Sequence, residues 1–211
     1  MFLSVINRET KNTIDLLSDL RFIRSFYLAG GTGCAVHIGH RISEDLDFFS
    51  QTEFSQFEIQ NTLKAHSRFL VDYSDTRTLT GRFEQTKISF FHYEYPLLEE
   101  TSDFLNLKIS SLKDIGCMKI DAISSRGSRR DFVDLYYILK FFDVSLEEFF
   151  IFFQDKYGRE NYNLVHIIKS LVYFKDADED AYLKMMDQYS WQDVKDFFSQ
   201  QVKYFKDLSF K

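Results

Sequence analysis

The chain has 211 residues, 45% of them hydrophobic, with 24 Phe, 12 Tyr and a single proline, a composition that buries a sizeable core and excludes disorder. The net charge of −6 excludes a basic nucleic-acid coat, so contact with RNA or DNA would need a local basic patch. Cys34 and Cys117 are only two and far apart, which argues against a disulfide framework or a structural zinc site. No apolar run reaches the length of a membrane span, and the N-terminus lacks a basic segment followed by an apolar one. The expectation is a cytoplasmic protein with no membrane partner.

Residues 11–25 carry Ile14, Leu17, Leu20 and Ile23 at helical spacing. "FYLAG" then reads as a short buried strand. "GTGCAVHIGH" reads as a helix between glycines, with Gly39 as its C-terminal stop. "DLDFF" is a second strand, 53–66 a helix, and 68–95 a β-rich stretch of branched and aromatic residues. After Pro96 the pattern changes to helix: two helices broken at Gly127, then further helices with breaks near Gly158 and near "KDADED". The acidic run "DADED" reads as a solvated turn. There are no repeats and no low-complexity segments. The plan is α+β: a small mixed sheet with flanking helices over 1–110, followed by a helical half over 111–211.

The stretch 30–49, "GGTGCAVHIGHRISEDLDFF", carries the chemistry. Side chains alternate along a strand, so Asp45 and Asp47 point one way while Leu46 and Phe48 point the other. Two carboxylates about 6–7 Å apart at the backbone converge on divalent ions, and hard oxygen ligands suit Mg²⁺, which also holds substrate phosphates. Gly30 and Gly31 let the backbone approach a ligand, and the helix after them offers free N–H groups to an anion. Thr32 adds a hydroxyl as phosphate ligand or N-cap. His40 and Arg41 stand ready to neutralise phosphate charge. Taken singly, a Gly-Gly pair is a turn and an Asp-x-Asp is a solvated surface. Their spacing makes the combination specific.

This stretch resembles the first motif of the AbiEii/AbiGii toxin family of nucleotidyltransferases: Gly-Gly-Thr/Ser, an apolar helix, then Gly-His-Arg-x-Ser-x-Asp-Leu-Asp-Phe. The resemblance implies the polymerase-β-like nucleotidyltransferase fold over 1–110, with Asp45 and Asp47 holding Mg²⁺–NTP and the glycine turn holding the triphosphate.

A second stretch, "CMKIDAISSRGSRRDFVDLYYILKFF", tests the reading. On a helical wheel Lys119 falls within the face of Ile115, Met118, Ala122 and Ile123, and Arg126 points the same way. Either both reach into a cleft at phosphate, or Lys119 snorkels at the edge of the core. Ser128 and Asp131 have the spacing of a capping box. Asp131 and Asp134 either pair with Arg126, Arg129 or Arg130, or orient a base or metal-bound water. The family pattern Lys-x-x-Ala-x-x-x-Arg-Gly-x-(Lys/Arg)-(Lys/Arg)-Asp-x-x-Asp-Leu matches Lys119, Ala122, Arg126, Gly127, Arg129, Arg130, Asp131, Asp134 and Leu135. It implies that Lys119 contacts nucleotide phosphates and that Asp131 belongs to the active site.

Related enzymes place a third acid on a neighbouring strand. Here the aligned position is Ser89, with Glu84 and Glu94 nearby. Three options follow: Asp131 supplies the base, one well-held metal suffices, or the chain binds nucleotide without turnover. The leading expectation is NMP transfer from an NTP to an acceptor hydroxyl. By resemblance, the chain would be the toxin of a toxin–antitoxin or abortive phage-infection pair, with an antitoxin protein as partner. Some relatives modify tRNA, and Arg126, Arg129 and Arg130 form a patch for an RNA backbone. The alternatives are a non-catalytic nucleotide-binding module that acts through a protein partner on its aromatic C-terminal helices, and a transferase with a small-molecule acceptor.

Overall fold

Asn7 caps the first helix, accepting from the Thr10 N–H at 2.7 Å, and α1 runs Arg8–Ser18 with Ile14 and Leu17 fully buried. The structure, a computed structural model, describes residues 1–204. Positions 205–211, the end of the expected helical half, lie outside the described residues. The helix expected over 11–25 is shorter, because Arg21–Ser25 tightens into a 3₁₀ turn. That turn feeds β1 (Tyr27–Leu28), α2 (Gly30–Ile38) and β2 (Leu46–Ser50). Gly39 ends α2 with φ of 83°, a left-handed position that glycine adopts without strain.

After α3 (Gln56–His66), capped by Ser55, the β-rich stretch folds as a meander of β3 (Phe69–Ser74), β4 (Thr78–Phe83) and β5 (Thr86–His92). A hairpin not anticipated from the sequence follows: β6 (Ser102–Phe104) and β7 (Leu107–Ile109). The seven strands form one mixed sheet in the order β3-β4-β5-β2-β1-β7-β6. β2 runs parallel to β5 and β1 parallel to β7, while β1 and β2 are antiparallel.

The rest is helical: α4 (Leu112–Ser125), α5 (Arg129–Phe142), α6 (Leu146–Tyr157), α7 (Leu164–Ser170), α8 (Lys175–Glu179) and α9 (Trp191–Tyr204). Gly127, at φ of 55°, separates α4 from α5. The run read as a solvated turn is instead α8 and its exit, with Ala177 fully buried. Among the described residues no helix is long and apolar enough to cross a membrane.

Two apolar clusters hold these layers. One draws on residues between Val5 and Ile109, including Phe48, Phe83 and Phe90. Each such ring contributes about 1.5–3 kcal/mol on burial, and Phe48 stacks on Phe90 at 5.4 Å. The other joins Tyr27, Ala29 and Cys34 to the helices from α4 onward, with Phe149, Phe150, Phe153 and Phe198 at its heart. These C-terminal rings are core and not an exposed face. Helix α2 lies between the clusters, giving Ala35 and Val36 to the first and Cys34 to the second. Its N-terminus therefore opens where sheet and helices meet.

Candidate active site

The alternation of β2 buries Leu46, Phe48 and Ser50 and turns Asp47 and Phe49 to the other face. Asp45 sits one residue before the strand, and both acids line a cleft of about 610 Å³ between the sheet and α4–α5. Gly30, the first residue of α2, lies directly against them. A Cβ there would stand 2.7 Å from Asp47 Oδ2, and the residue has φ of +62°. The Ala29 N–H donates to the Asp47 carbonyl at 3.0 Å, locking helix start to strand.

Burial raises the Asp47 carboxyl above its ordinary value. The Asp45 charge adds to the rise, while the Ser89 hydroxyl, Lys119 and Arg130 pull it back. Arg130 Nη1 is 3.9 Å from Asp45 Oδ2. Two neighbouring carboxylates, one held above its usual range, beside a helix start with room only for glycine, fit a hard divalent cation with phosphate ligands.

The opposite wall is a buried ionic cluster. Lys119 Nζ reaches Asp131 Oδ1 at 3.0 Å and Asp134 Oδ2 at 2.7 Å. Asp134 also accepts from Arg41 Nε at 2.7 Å and Nη2 at 2.9 Å, and contacts His40 Nε2 at 2.8 Å. Asp131 accepts from Arg126 Nε at 2.9 Å and Nη2 at 3.1 Å, and from Ser128 Oγ at 2.6 Å. Desolvation opposes ionisation of both acids, but the surrounding cations hold both well below the ordinary carboxylate range. Desolvation opposes the charge on Lys119 too, yet Asp134 and Asp131 raise its pKa above the ordinary lysine value. Cys34, His40 and Asp134 place ligand atoms within 4.8 Å of one another, but two cations already occupy the Asp134 oxygens, which makes this a salt-bridge core and not a metal centre.

The expected site residues therefore divide. Gly30, Asp45, Asp47, Lys119, Arg126 and Asp131 converge on one cleft. Lys119 does not snorkel: it is 4% exposed and paired. Thr32, 1% exposed, donates to the Asp45 carbonyl and contacts Ser43 Oγ at 2.9 Å, so its hydroxyl holds the acid loop and is not turned to a phosphate. Gly31 is small because Arg41 Nη2 fills the space where its Cβ would be, 2.5 Å away. Arg41 itself spends its guanidinium on Asp134. Asp131 accepts four hydrogen bonds, which leaves it poorly suited to take a proton.

Three further readings are corrected. Ser128 and Asp131 join through their side chains and form no capping box. The N-terminus of α5 is met instead by Asp180, whose Oδ2 accepts from the Arg129 N–H at 2.7 Å. Arg129 is 3% exposed and donates to the Ala177 and Asp178 carbonyls, both at 3.0 Å, so it leaves the expected basic patch. Glu84 turns away at the β4–β5 hairpin to Ser67 and Arg68, and Glu94 pairs with Arg77. Ser89 stands at the expected position, directly across from Asp47.

Sequence reasoning missed the strap over the cleft mouth. Met185 bridges to Arg41, the Ile42 N–H donates to the Lys184 carbonyl at 2.8 Å, and Tyr182 and Lys184 line the opening. It also missed Asp121, Phe49, Phe91 and Tyr93 in the cleft. The wheel that placed Met118 and Ala122 together already carried the signal for Asp121. Residues far apart in sequence form the strap, which left no local trace.

A mixed sheet with an acid pair on an inner strand, facing a glycine-started helix, defines a nucleotidyltransferase fold. MenT4, a nucleotidyltransferase toxin of Mycobacterium tuberculosis H37Rv, shares it with a TM-score of 0.56 at 12% identity, over 95% of this chain and 84% of that one. The crystal structure of JHP933 from Helicobacter pylori shares it with a TM-score of 0.54 at 14% identity, over 95% and 93%. At such identities the likeness is one of fold. The family described as nucleotidyl transferase AbiEii toxin, type IV toxin–antitoxin system, matches residues 91–202. The chain belongs to this family of nucleotidyltransferase toxins and is an enzyme of that class. An uncharacterized protein of Aquifex aeolicus (strain VF5), aq_aa25, is 38% identical over 202 residues, 94% of this chain and 96% of that one. The family match spans Lys119, Arg126 and Asp131 but ends short of the glycine turn and the acid pair, whose assignment rests on the geometry above.

Proposed function

We propose that the cleft transfers a nucleoside monophosphate from a magnesium-bound NTP to an acceptor hydroxyl, with tRNA as the acceptor to test first. The chain would act in the cytoplasm as the toxin of a pair that includes an antitoxin protein, in abortive phage infection. One observation carries the reading: Asp45 and Asp47 line the cleft with Gly30, at the start of α2, pressed against the Asp47 carboxylate.

Asp45 and Asp47 would hold the metal. A divalent ion at such a pair neutralises triphosphate charge and polarises the phosphoryl group under attack. The N–H groups at the start of α2 accept the phosphates. Lys119 and Arg126 set a positive field on the opposite wall, and Arg130 supplies a mobile cation beside Asp45. Asp131 and Asp134 fix Lys119 and Arg126 in place without exchanging protons. The preorganised charge is stabilising because the cluster is buried and needs no reorganisation as negative charge moves onto the leaving pyrophosphate.

The test is incubation of the purified chain with each α-³²P NTP, Mg²⁺ and total tRNA. Label on RNA that vanishes in Asp45→Asn and Asp47→Asn supports the reading. Label on no RNA, protein or small molecule overturns it and leaves a nucleotide-binding module.

A further inference from the structure

The cleft has a second end, away from the phosphates. Past Asp47 on β2 the next cleft-facing side chain is Phe49; past Ser89 on β5 come Phe91 and then Tyr93. Their rings make one wall. Phe49 stacks on Phe91 at 5.1 Å and meets Tyr93 edge-on at 5.5 Å. Opposite stand Met118, Asp121 and Ala122 of α4. Flat rings, a thioether and a methyl group form a slot for a planar apolar body.

Asp121 is the anomaly in this slot. Every other acid of the cleft has a partner: Asp45 has Arg130, Asp47 has Ser89, Glu44 has Lys184, and Asp131 has Lys119 and Arg126. Among the described residues the Asp121 side chain forms no hydrogen bond and no ion pair, and only the longer-range charge of Arg126 reaches it. It stays open to cleft water, yet the surrounding protein still raises its carboxyl above the ordinary value. Holding an unpaired carboxylate beside aromatic rings is unfavourable. A ligand that donates two hydrogen bonds removes that penalty.

We propose that Asp121 reads the base of the bound NTP and selects guanine, which stacks in the aromatic slot and donates its N1–H and N2–H groups to the two carboxylate oxygens. Guanine alone among the four bases carries two adjacent donors on one edge. Adenine and cytosine set an acceptor nitrogen beside their amino group, and uracil flanks its single N–H with two carbonyls. Each turns a lone pair toward the carboxylate. Hydrogen bonds to an ionised acceptor are about twice as strong as neutral ones, and a site built around them discriminates against bases that lack the donors. The inference rests on the proposed function, since it takes an NTP in the cleft as given.

Equilibrium dialysis of the full chain with Mg²⁺ and each α-³²P NTP tests it, with ITP included because it lacks only the N2 amino group. The expected result is tightest binding of GTP, by about 10- to 100-fold over ATP, CTP and UTP, with ITP between. Asp121→Asn is nearly isosteric and should abolish the GTP advantage while leaving the thermal midpoint and the affinity for the other NTPs within about twofold. Equal affinity for all four NTPs, or a GTP preference that survives in Asp121→Asn, overturns the inference and leaves the proposed transfer intact. Failure of the wild-type chain to bind any NTP overturns both.

Discussion

Ser89 stands directly across the parallel β2–β5 pairing from Asp47 and donates a hydrogen bond to its carboxylate. A hydroxyl thus occupies the place where related enzymes carry a third acid, and it tunes the acid that remains. Burial and Asp45 raise Asp47; Ser89 works against them. A proton on Asp47 competes with a cation, so transfer is lost as pH falls through its pKa. Ser89→Ala removes a lowering influence and moves that loss to higher pH. The acidic limb of kcat/KM is expected to shift upward by about 0.5–1 pH unit, the equivalent of one ordinary hydrogen bond. An unmoved limb would show that Asp47 does not control it.

Gly30 is constrained twice, by φ of +62° and by the Asp47 carboxylate 2.7 Å from the position of a Cβ. Gly30→Ala should cost about 1–2 kcal/mol from the left-handed backbone alone. It also pushes Asp47 out of line with Asp45. The transfer rate is expected to fall more than about tenfold, because misplacement near 1 Å is enough for that, while far-UV circular dichroism stays that of a folded chain. Retained activity at high Mg²⁺ would show that the close approach is not needed.

Much of this site was readable before any coordinates. The periodicity of 30–38 and the stop at Gly39 marked α2, and the alternation around Leu46 and Phe48 separated core from cleft. Lys119 on an apolar face and two acids on the neighbouring helix announced an ionic cluster, since none of them is tolerated there alone. The hairpin β6–β7 stayed hidden because three-residue strands carry too little pattern and Leu105-Asn106 is not a turn signature that stands out. The burial of Arg129 stayed hidden for another reason. Its acceptors are backbone carbonyls on α8, 48 and 49 residues further on, and a carbonyl has no identity in a sequence. Arg41 showed the same limit: its charge was visible, but not that Asp134, 93 residues away, would claim it.

Asp134 anchors Arg41, Lys119 and His40 with no exposure to solvent. Asp134→Ala leaves two buried cations uncompensated and should destabilise the chain by about 3–5 kcal/mol. The pH dependence has a definite sign. Asp131 and Asp134 titrate below their unfolded values, so their stabilisation is fully present above the ordinary carboxylate pKa near 4 and is lost as pH falls toward the depressed native values. The melting midpoint should hold from pH 7 to about pH 5 and drop below about pH 4. In Asp134→Asn the midpoint starts lower and the acid drop is shallower. An identical acid slope in both proteins would place the sensitivity elsewhere.

Arg129 and Arg130 are adjacent in sequence and opposite in role. Arg129 is buried, donates to two α8 carbonyls and lies against the rings of Tyr182 at 4.8 Å and Trp191 at 5.3 Å. Arg130 is exposed at the cleft mouth beside Asp45. Arg129→Ala should lower stability by about 2–4 kcal/mol, since it removes two hydrogen bonds and the ring contacts and leaves α8 and the strap beside it unanchored. Arg130→Ala should leave the melting midpoint nearly unchanged, as surface substitutions do, but reduce kcat/KM for transfer about tenfold or more by removing a free cation from the reacting phosphates. Melting curves and single-turnover transfer on the two variants separate the roles. A destabilised Arg130→Ala protein, or an Arg129→Ala protein of normal stability and impaired transfer, would reverse the assignment and return Arg129 to the cleft.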